Sequence, residues 1–465
     1  QDSFMARPNE RTLFAGIFSV PPGCYAIAQK GEVRIYPYWD WNFPLAEELA
    51  AEERSDAEVT QGFRQVLDDA VRERLIADVE VASYLSGGID SCAVLGLAQK
   101  HMSRPIRAFT LAFEDRLYDE SAIAERQAKF VGASFERIPV SSRALADAYR
   151  DTIWHAETTV VNGHASAKFL LSRAVRDAGI KVVFTGEGSD ELFGGYMPFR
   201  RDVLLHHSSH LDAKTVAALM QQMHATNEAT RSIFSNENPP AEELLAVTRR
   251  LGWCPSWMEV FAAPGKVSQG LYRGDFATEF GMRNPYPMAL DRLPIASYVK
   301  GRDRLHQALY LNAKFQLHNF ILTFLGDRME MAHSIEGRVP FLDHHVAEFA
   351  ARIPINLKIR GIREKHILRE ATKDCLIDEV YNREKHPFTA PPAKREDDPM
   401  QQLFADVLLS RAAAEQPIFD PMKARSLVDM WRTCPSDQRI RIEGMMHRIA
   451  STTILHERFG MNGVE

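Results

Sequence analysis

From residue 79 to residue 185 apolar and amphipathic stretches alternate, and two of the apolar ones run directly into glycine-rich turns. The pattern predicts a strand over Val79 to Leu85, a helix over Ser91 to Lys100, a strand over Ile106 to Phe113 and a helix over Glu120 to Val131. A strand near Phe135 to Val140 follows, then helices between Arg143 and Ala178, and a last clear strand over Ile180 to Thr185. Strands separated by helices form βαβ units, so the expected fold is α/β with a doubly wound, mainly parallel sheet.

The flanks read differently. Upstream, Val59, Phe63, Val66, Leu67, Ala70, Val71 and Leu75 recur at three and four residues, as one face of a helix does. Ahead of them, Ile17 to Val20, Cys24 to Ala28 and Val33 to Tyr36 are short strand-like runs, punctuated by Pro21-Pro22-Gly23 and Lys30-Gly31. This β-rich piece is too small to bury a sheet of its own and is expected to dock on another part of the molecule. Beyond residue 200 strands become scarce and helical periodicity takes over, with loops expected over Asn236 to Glu243 and Thr389 to Pro399. A chain of 465 residues is long enough for two or three packed units.

Composition narrows the function classes. Hydrophobic residues at 45% and charged residues at 25% suit a globular chain. A net charge of -6 gives no pull toward nucleic acid, and the basic clusters are short and mixed, such as Arg383-Glu384-Lys385-His386. No apolar run approaches the ~20 residues of a bilayer span, so no membrane partner is expected. Five scattered cysteines without a CxxC spacing argue for a reducing compartment and against disulfides or structural zinc, which makes a cytoplasmic location the expectation.

The chemistry-bearing segments follow the strands. Tyr84-Leu85-Ser86-Gly87-Gly88-Ile89-Asp90-Ser91 is a strand, a Ser-Gly-Gly turn and a helix start. Backbone N–H groups there can approach an anion unobstructed by Cβ atoms, with the helix dipole behind them. No Lys follows the glycines, so it is not the GxxxxGK[ST] loop. Asp90 is suited to hold Mg2+ on pyrophosphate oxygens; the alternative is a tight turn that needs Gly, with Asp90 and Ser91 as caps. A second such unit, Thr185-Gly186-Glu187-Gly188-Ser189-Asp190-Glu191-Leu192-Phe193-Gly194-Gly195-Tyr196, follows Lys181 to Phe184. Both turns are expected at the carboxyl edge of the sheet, where they can face one triphosphate while Asp90 and Asp190 supply paired carboxylates for Mg2+. Three acids in one turn (Glu187, Asp190, Glu191) call for a cation or cationic ligand nearby.

Two later segments complete the pattern: Asp327-Arg328 followed by Met331 to Asp343, which contains Glu336-Gly337-Arg338-Val339-Pro340-Phe341-Leu342-Asp343, and Glu364-Lys365-His366-Ile367-Leu368-Arg369. The four segments, in this order over roughly residues 60–390, resemble the asparagine synthetase family and its relatives among the PP-loop ATP pyrophosphatases. The resemblance implies a synthetase domain over residues 55–395, a helical extension over 396–465, and in residues 1–45 the tail of the family's glutaminase domain. It implies ATP and Mg2+, with Ser86, Gly87, Gly88, Asp90 and Ser91 as the pyrophosphate loop and Thr185 and Gly186 in the second nucleotide-facing turn. Leu85 and Leu111 would contact adenosine, and Asp90 and Asp190 would hold Mg2+. Glu187 would sit at the reacting centre, positioning the acyl-adenylate or accepting a proton from ammonia, and Lys365 would neutralise the α-phosphate. A carboxylic acid substrate and an ammonia donor are implied, and a homodimer is compatible with this reading.

Two departures qualify the resemblance. Enzymes that make asparagine often carry a Thr-Thr-Ile-Arg stretch that resembles an aspartate clamp, whereas here His155-Ala156-Glu157-Thr158-Thr159-Val160-Val161-Asn162-Gly163-His164 leads to Lys168 with no Arg. An Arg fork suits a carboxylate far better than a His does, which puts aspartate in doubt as the acceptor. Asn162, His164 and Lys168 form either a different acceptor pocket or ordinary helix capping with a solvated Lys. The glutaminase nucleophile, a Cys directly after the initiator Met, has no counterpart either, and Cys24 reads as a small buried hydrophobe in a strand. The glutamine-hydrolysing half is therefore expected to be missing from this chain, separately encoded or not included in it. The rival readings are an amide or β-lactam-type synthetase of specialised metabolism or cell-surface modification, and an inactive homologue serving as a scaffold.

Overall fold

The computed structural model describes residues 11–225, 241–281 and 283–461. Seven strands matter for the site: β1 (Cys24–Gln29), β2 (Glu32–Pro37), β3 (Val81–Tyr84), β4 (Arg107–Phe113), β5 (Ser134–Val140), β6 (Val182–Phe184) and β7 (Glu336–Arg338). The last five form one sheet in the order β5-β4-β3-β6-β7, with every neighbouring pair parallel. From β3 the chain winds outward through β4 and β5, then returns to the other side of β3 for β6 and β7. β3 and β6 are therefore the neighbours at which the strand order reverses, and this is where open α/β sheets bind ligands. β7 is absent from the sequence expectation because Glu336-Gly337-Arg338 has no apolar run, and its register is set by pairing with β6.

Helices cover both faces of the sheet. α1 (Asp56–Glu73) starts at a Ser55/Glu58 capping box and buries Val59, Phe63, Leu67, Ala70 and Val71 as one stripe. α2 (Ile89–Lys100) is buried from Ile89 through Ala98, so it shows no polar face. A Cβ on its Gly96 would sit 2.6 Å from Cys375 Cβ, which is why the helix can press so closely on the 373–375 turn. α3 (Ser121–Val131), α4 (Ser142–Ala156) and α5 (His164–Asp177) follow, and the short α6 (Ser189–Phe193) leaves β6. One hydrophobic core joins α1, α2 and Phe193 beneath the sheet, and the other joins Phe109, Leu111, Tyr149 and the C-terminal helices α9 (Ser436–Phe459) above it. Between residues 200 and 335 the described chain is helical, including a wide π-type stretch over Ala313–Asp327 that runs into α7 (Arg328–Met331). Helix α8 (His366–Thr372) belongs to the lower layer.

Three expectations for the N-terminal piece need correction. Ile17 to Val20 does not form a strand; its one pairing is a single bridge between Phe18 and Arg11. The β1–β2 hairpin is not covered by the described remainder of the chain: both strands are exposed along nearly their whole length. What docks is the stretch after it, where Trp39 meets Trp41 edge-on, Trp41 stacks on Phe43 and Phe43 is buried against His306. Cys24 is half-buried, not a core residue, and all five cysteines are free thiols. The expected loop over Asn236 to Glu243 lies partly outside the described residues, and Ala241–Leu251 is helical. Thr389 falls in an irregular stretch that ends where a helix begins at Pro399. Among the described residues no helix is long and apolar enough to cross a membrane.

Candidate active site

The two glycine-rich turns touch. A Cβ on Gly186 would lie 2.7 Å from the backbone nitrogen of Ser91 and 2.8 Å from Asp90 Cβ, so only Gly lets the β6 turn lie against the start of α2. Ser189 Oγ at the head of α6 donates to Asp90 Oδ1 at 2.8 Å and ties the two helix starts together. Within the first turn, the Ser86 N–H donates to Ser91 Oγ at 3.0 Å and the Gly88 N–H to Ser86 Oγ at 3.1 Å. Thr185 is buried, and its hydroxyl accepts from the Glu187 N–H. Gly188 has φ +92°, a left-handed geometry that favours glycine, and it folds the turn back against Leu342. Leu85 and Leu111 are both buried at this edge but belong to the opposite cores, so the structure does not bring their side chains together.

Four charges converge above the turns. Lys365 Nζ donates to both Asp90 oxygens, at 2.6 and 2.7 Å, and lies 2.6 Å from Asp190 Oδ1. The two carboxylates thus meet at one point, no further apart than twice that distance. Lys385 Nζ donates to Asp190 Oδ2 at 2.7 Å and reaches Asp90 Oδ2 at 3.4 Å. Burial pushes the Asp90 carboxyl up, but Lys365, Lys385 and the Ser189 hydroxyl outweigh it and hold the group at about 2. Burial alone would lower Lys385, yet Asp190 and Asp90 raise it overall. Glu191 behaves differently: burial first and the neighbouring Asp190 second push it up to about 7, while Tyr196 Oη donates to it at 2.7 Å.

Lys385 was not singled out by sequence reasoning, which had it only as part of the mixed run Arg383 to His386. Its support comes from Glu364. That buried carboxylate accepts the Lys385 backbone N–H at 2.9 Å and the Arg369 guanidinium at 2.6 Å, and lies 3.7 Å from the buried Arg200. The Glu-Lys-x-x-Leu-Arg segment therefore does two jobs. It places Lys365 in a left-handed conformation (φ 54°) at the start of α8, and it anchors Lys385 by its main chain. Glu364→Ala would strip Arg369 of its carboxylate and leave Arg200 with Glu384 alone, at 3.9 Å. It is expected to cost about 3–5 kcal/mol of stability, read by chemical denaturation, the figure for removing one partner of a buried ion pair. Arg383 pairs with Glu120 at 2.7 Å and donates to the Gly87 carbonyl at 3.2 Å, bracing the first turn from above.

Glu187 occupies a second, adjacent cluster. Lys168 Nζ lies 3.3 Å from Glu187 Oε1 and 2.9 Å from Glu330 Oε1, over the ring of Tyr84 at 4.3 Å. Lys168 is thus a buried, paired residue and not a solvated surface one. Asn162, the residue before the Gly163 cap of α5, accepts the His164 N–H through Oδ1, while the His164 ring packs edge-on against Phe388. Burial, with His447 nearby, pushes the His164 imidazole down to about 3, so it stands neutral.

Asp90 and Asp190 fit Mg2+, which binds proteins through one or two carboxylates and completes its shell with substrate phosphate oxygens. Among the described residues no trio of His, Cys, Asp or Glu gathers into an all-protein metal cage. The asparagine synthase family model matches residues 62–456. This chain belongs to the asparagine synthase family. Its relatives include the amidase chry2 of Gibberella zeae, 34% identical over 411 residues, and the amidase chyE of Penicillium rubens, 34% identical over 418 residues. Each alignment covers 83% of this chain and 60% of the relative. A putative glutamine-hydrolysing asparagine synthetase of Mycobacterium tuberculosis is 28% identical over 388 residues, covering 83% of this chain and 56% of the relative. The chain therefore spans about three fifths of the length of the curated relatives it matches.

Proposed function

We propose that this asparagine synthase family member is an ATP-dependent amide synthetase that adenylates a carboxylic acid other than aspartate and passes the acyl group to ammonia. The observation that carries this reading is the meeting of two aspartates and two lysines over two abutting glycine-rich turns at the reversal point of the sheet. Adenylyl transfer needs positioning and positive charge on the phosphate oxygens more than it needs covalent help from the protein. Lys365 and Lys385 supply that charge, together with the N-terminal end of α2. Asp90 and Asp190 would hold Mg2+, which when bound neutralises the leaving pyrophosphate. The substrate carboxylate attacks the α-phosphorus, pyrophosphate departs, and the acyl-adenylate then has a good leaving group in AMP. The nitrogen arrives as ammonia, free or released from glutamine by a glutaminase unit in cis or in trans.

The acceptor argument rests on Lys168 being engaged by two carboxylates and on the absence of an Arg from residues 155–168. Two relatives named amidases stand at 34% identity, against 28% for the asparagine synthetase of Mycobacterium tuberculosis. This favours an amide synthetase of specialised metabolism. The test is ATP–pyrophosphate exchange with Mg2+ and a panel of carboxylic acids that includes aspartate. Exchange driven by acids other than aspartate is expected. Exchange with aspartate alone would return the chain to asparagine synthesis, and no exchange on any acid together with no ATP binding would favour the scaffold reading.

A further inference from the structure

The cluster around Glu187 contains more charge than adenylation uses. Glu187 leaves the β6 turn, Lys168 comes from α5, Glu330 from α7, and the phenol of Tyr84 from the end of β3. Lys168 and Glu330 are 8% and 3% exposed at their side chains, against 22% for Glu187. The pair is therefore sealed and the third member faces the open side. Gly326, at the end of the wide helix, comes near Glu187, where a Cβ would stand 3.6 Å from Oε2. A Cβ on Gly337 of β7 would collide with Glu330 Oε2 at 2.1 Å, so β7 leaves room for this carboxylate only because it carries glycine there. Two carboxylates and one ammonium leave a net charge of -1, a setting for a cationic or proton-bearing nitrogen and a poor one for an anionic acceptor group.

We propose that Lys168 and Glu330 are positioning residues that hold Glu187 as the proton acceptor for the attacking nitrogen. This rests on the amide-forming reading above. In the step, the nitrogen lone pair forms the C–N bond at the acyl carbon, and the bond from that carbon to the AMP oxygen breaks with its electron pair leaving on AMP. One N–H proton passes to the Glu187 carboxylate, which later releases it to water. Glu187 suits the task because burial raises its affinity for a proton, Lys168 lowers it, and Glu330 raises it again. Thr185 contributes a hydrogen bond that lowers it, and Tyr84 lies across the Lys168 ammonium. Lys168 and Glu330 thus pull in opposite directions on one group.

The test is a carboxyl-carbon NMR titration of protein labelled at its glutamate side chains, with Glu187 assigned by the resonance missing in Glu187→Gln. In the unaltered protein its midpoint is expected above those of surface glutamates. Glu330→Gln is expected to lower the midpoint and Lys168→Met to raise it, each by about one unit. Equal midpoints, or shifts of the same sign, would overturn the assignment. Should either variant fail to fold, the other retains its predicted sign, and a Glu187 midpoint in unaltered protein at or below the surface glutamates would overturn it alone. Amide formation with ammonium chloride should show an acid limb that moves in the same two directions. Pyrophosphate exchange by the unaltered protein is read without ammonia and so reports on the proposed function separately.

Discussion

Asp90→Asn is expected to abolish ATP–pyrophosphate exchange, lowering it by about a thousandfold or more, in a protein that still folds. Asp90 accepts from Lys365 through both oxygens and is reached by Lys385 through one, so its charge organises both cations. A neutral amide keeps the acceptor that Ser189 uses and fills the same volume, which preserves the tie between the two helix starts. What it loses is one of the two carboxylates suited to Mg2+ and half the anionic charge that holds the lysines in place. Loss of a single preorganised charge-stabilising contact is worth about 10²–10³ in rate, and here a metal ligand and the lysine positions go together. Circular dichroism and a thermal melt check the fold. Exchange within tenfold of the unaltered rate would remove Asp90 from the site.

Lys385→Ala is expected to slow adenylation by about 10²–10³ in single-turnover measurements, with pyrophosphate release as the readout. The side chain can be cut without moving the chain, because Glu364 holds residue 385 by its backbone N–H. This makes Lys385 a cleaner probe than Lys365, which is fully buried and starts α8 in a strained left-handed conformation. Lys385→Arg is expected to restore little, since a planar fork does not replace a compact ammonium wedged between two carboxylates. An unchanged single-turnover rate would leave Lys365 as the cation on the phosphate and assign Lys385 to structure.

Much of the site was readable before any coordinates. Ser86 to Ser91 and Thr185 to Tyr196 each follow an apolar run and open a helix. Strands linked by helices in one sheet run parallel, which sends every such turn to the same edge. Local spacing also located α1 and the helices of the 143–178 stretch to within a few residues. The omissions share one cause. β7 has no periodicity of its own and exists because β6 offers an edge to pair with. Lys385 sits in a mixed run of charges, and nothing in that run distinguishes it from a solvated lysine. The Lys168–Glu330 pair joins two distant helices, and the hairpin's exposure depends on what surrounds it.

The amino-acid order alone determined the α/β layering, the two glycine-rich turns and their arrival at a common edge, because propensity, periodicity and chain connectivity act between near neighbours. Tertiary structure decided which cations answer Asp90 and Asp190, and that Lys168 lies between two carboxylates. Ion pairs of this kind are made between segments remote in the chain, and burial sets their strength, so both terms appear only once the layers have closed.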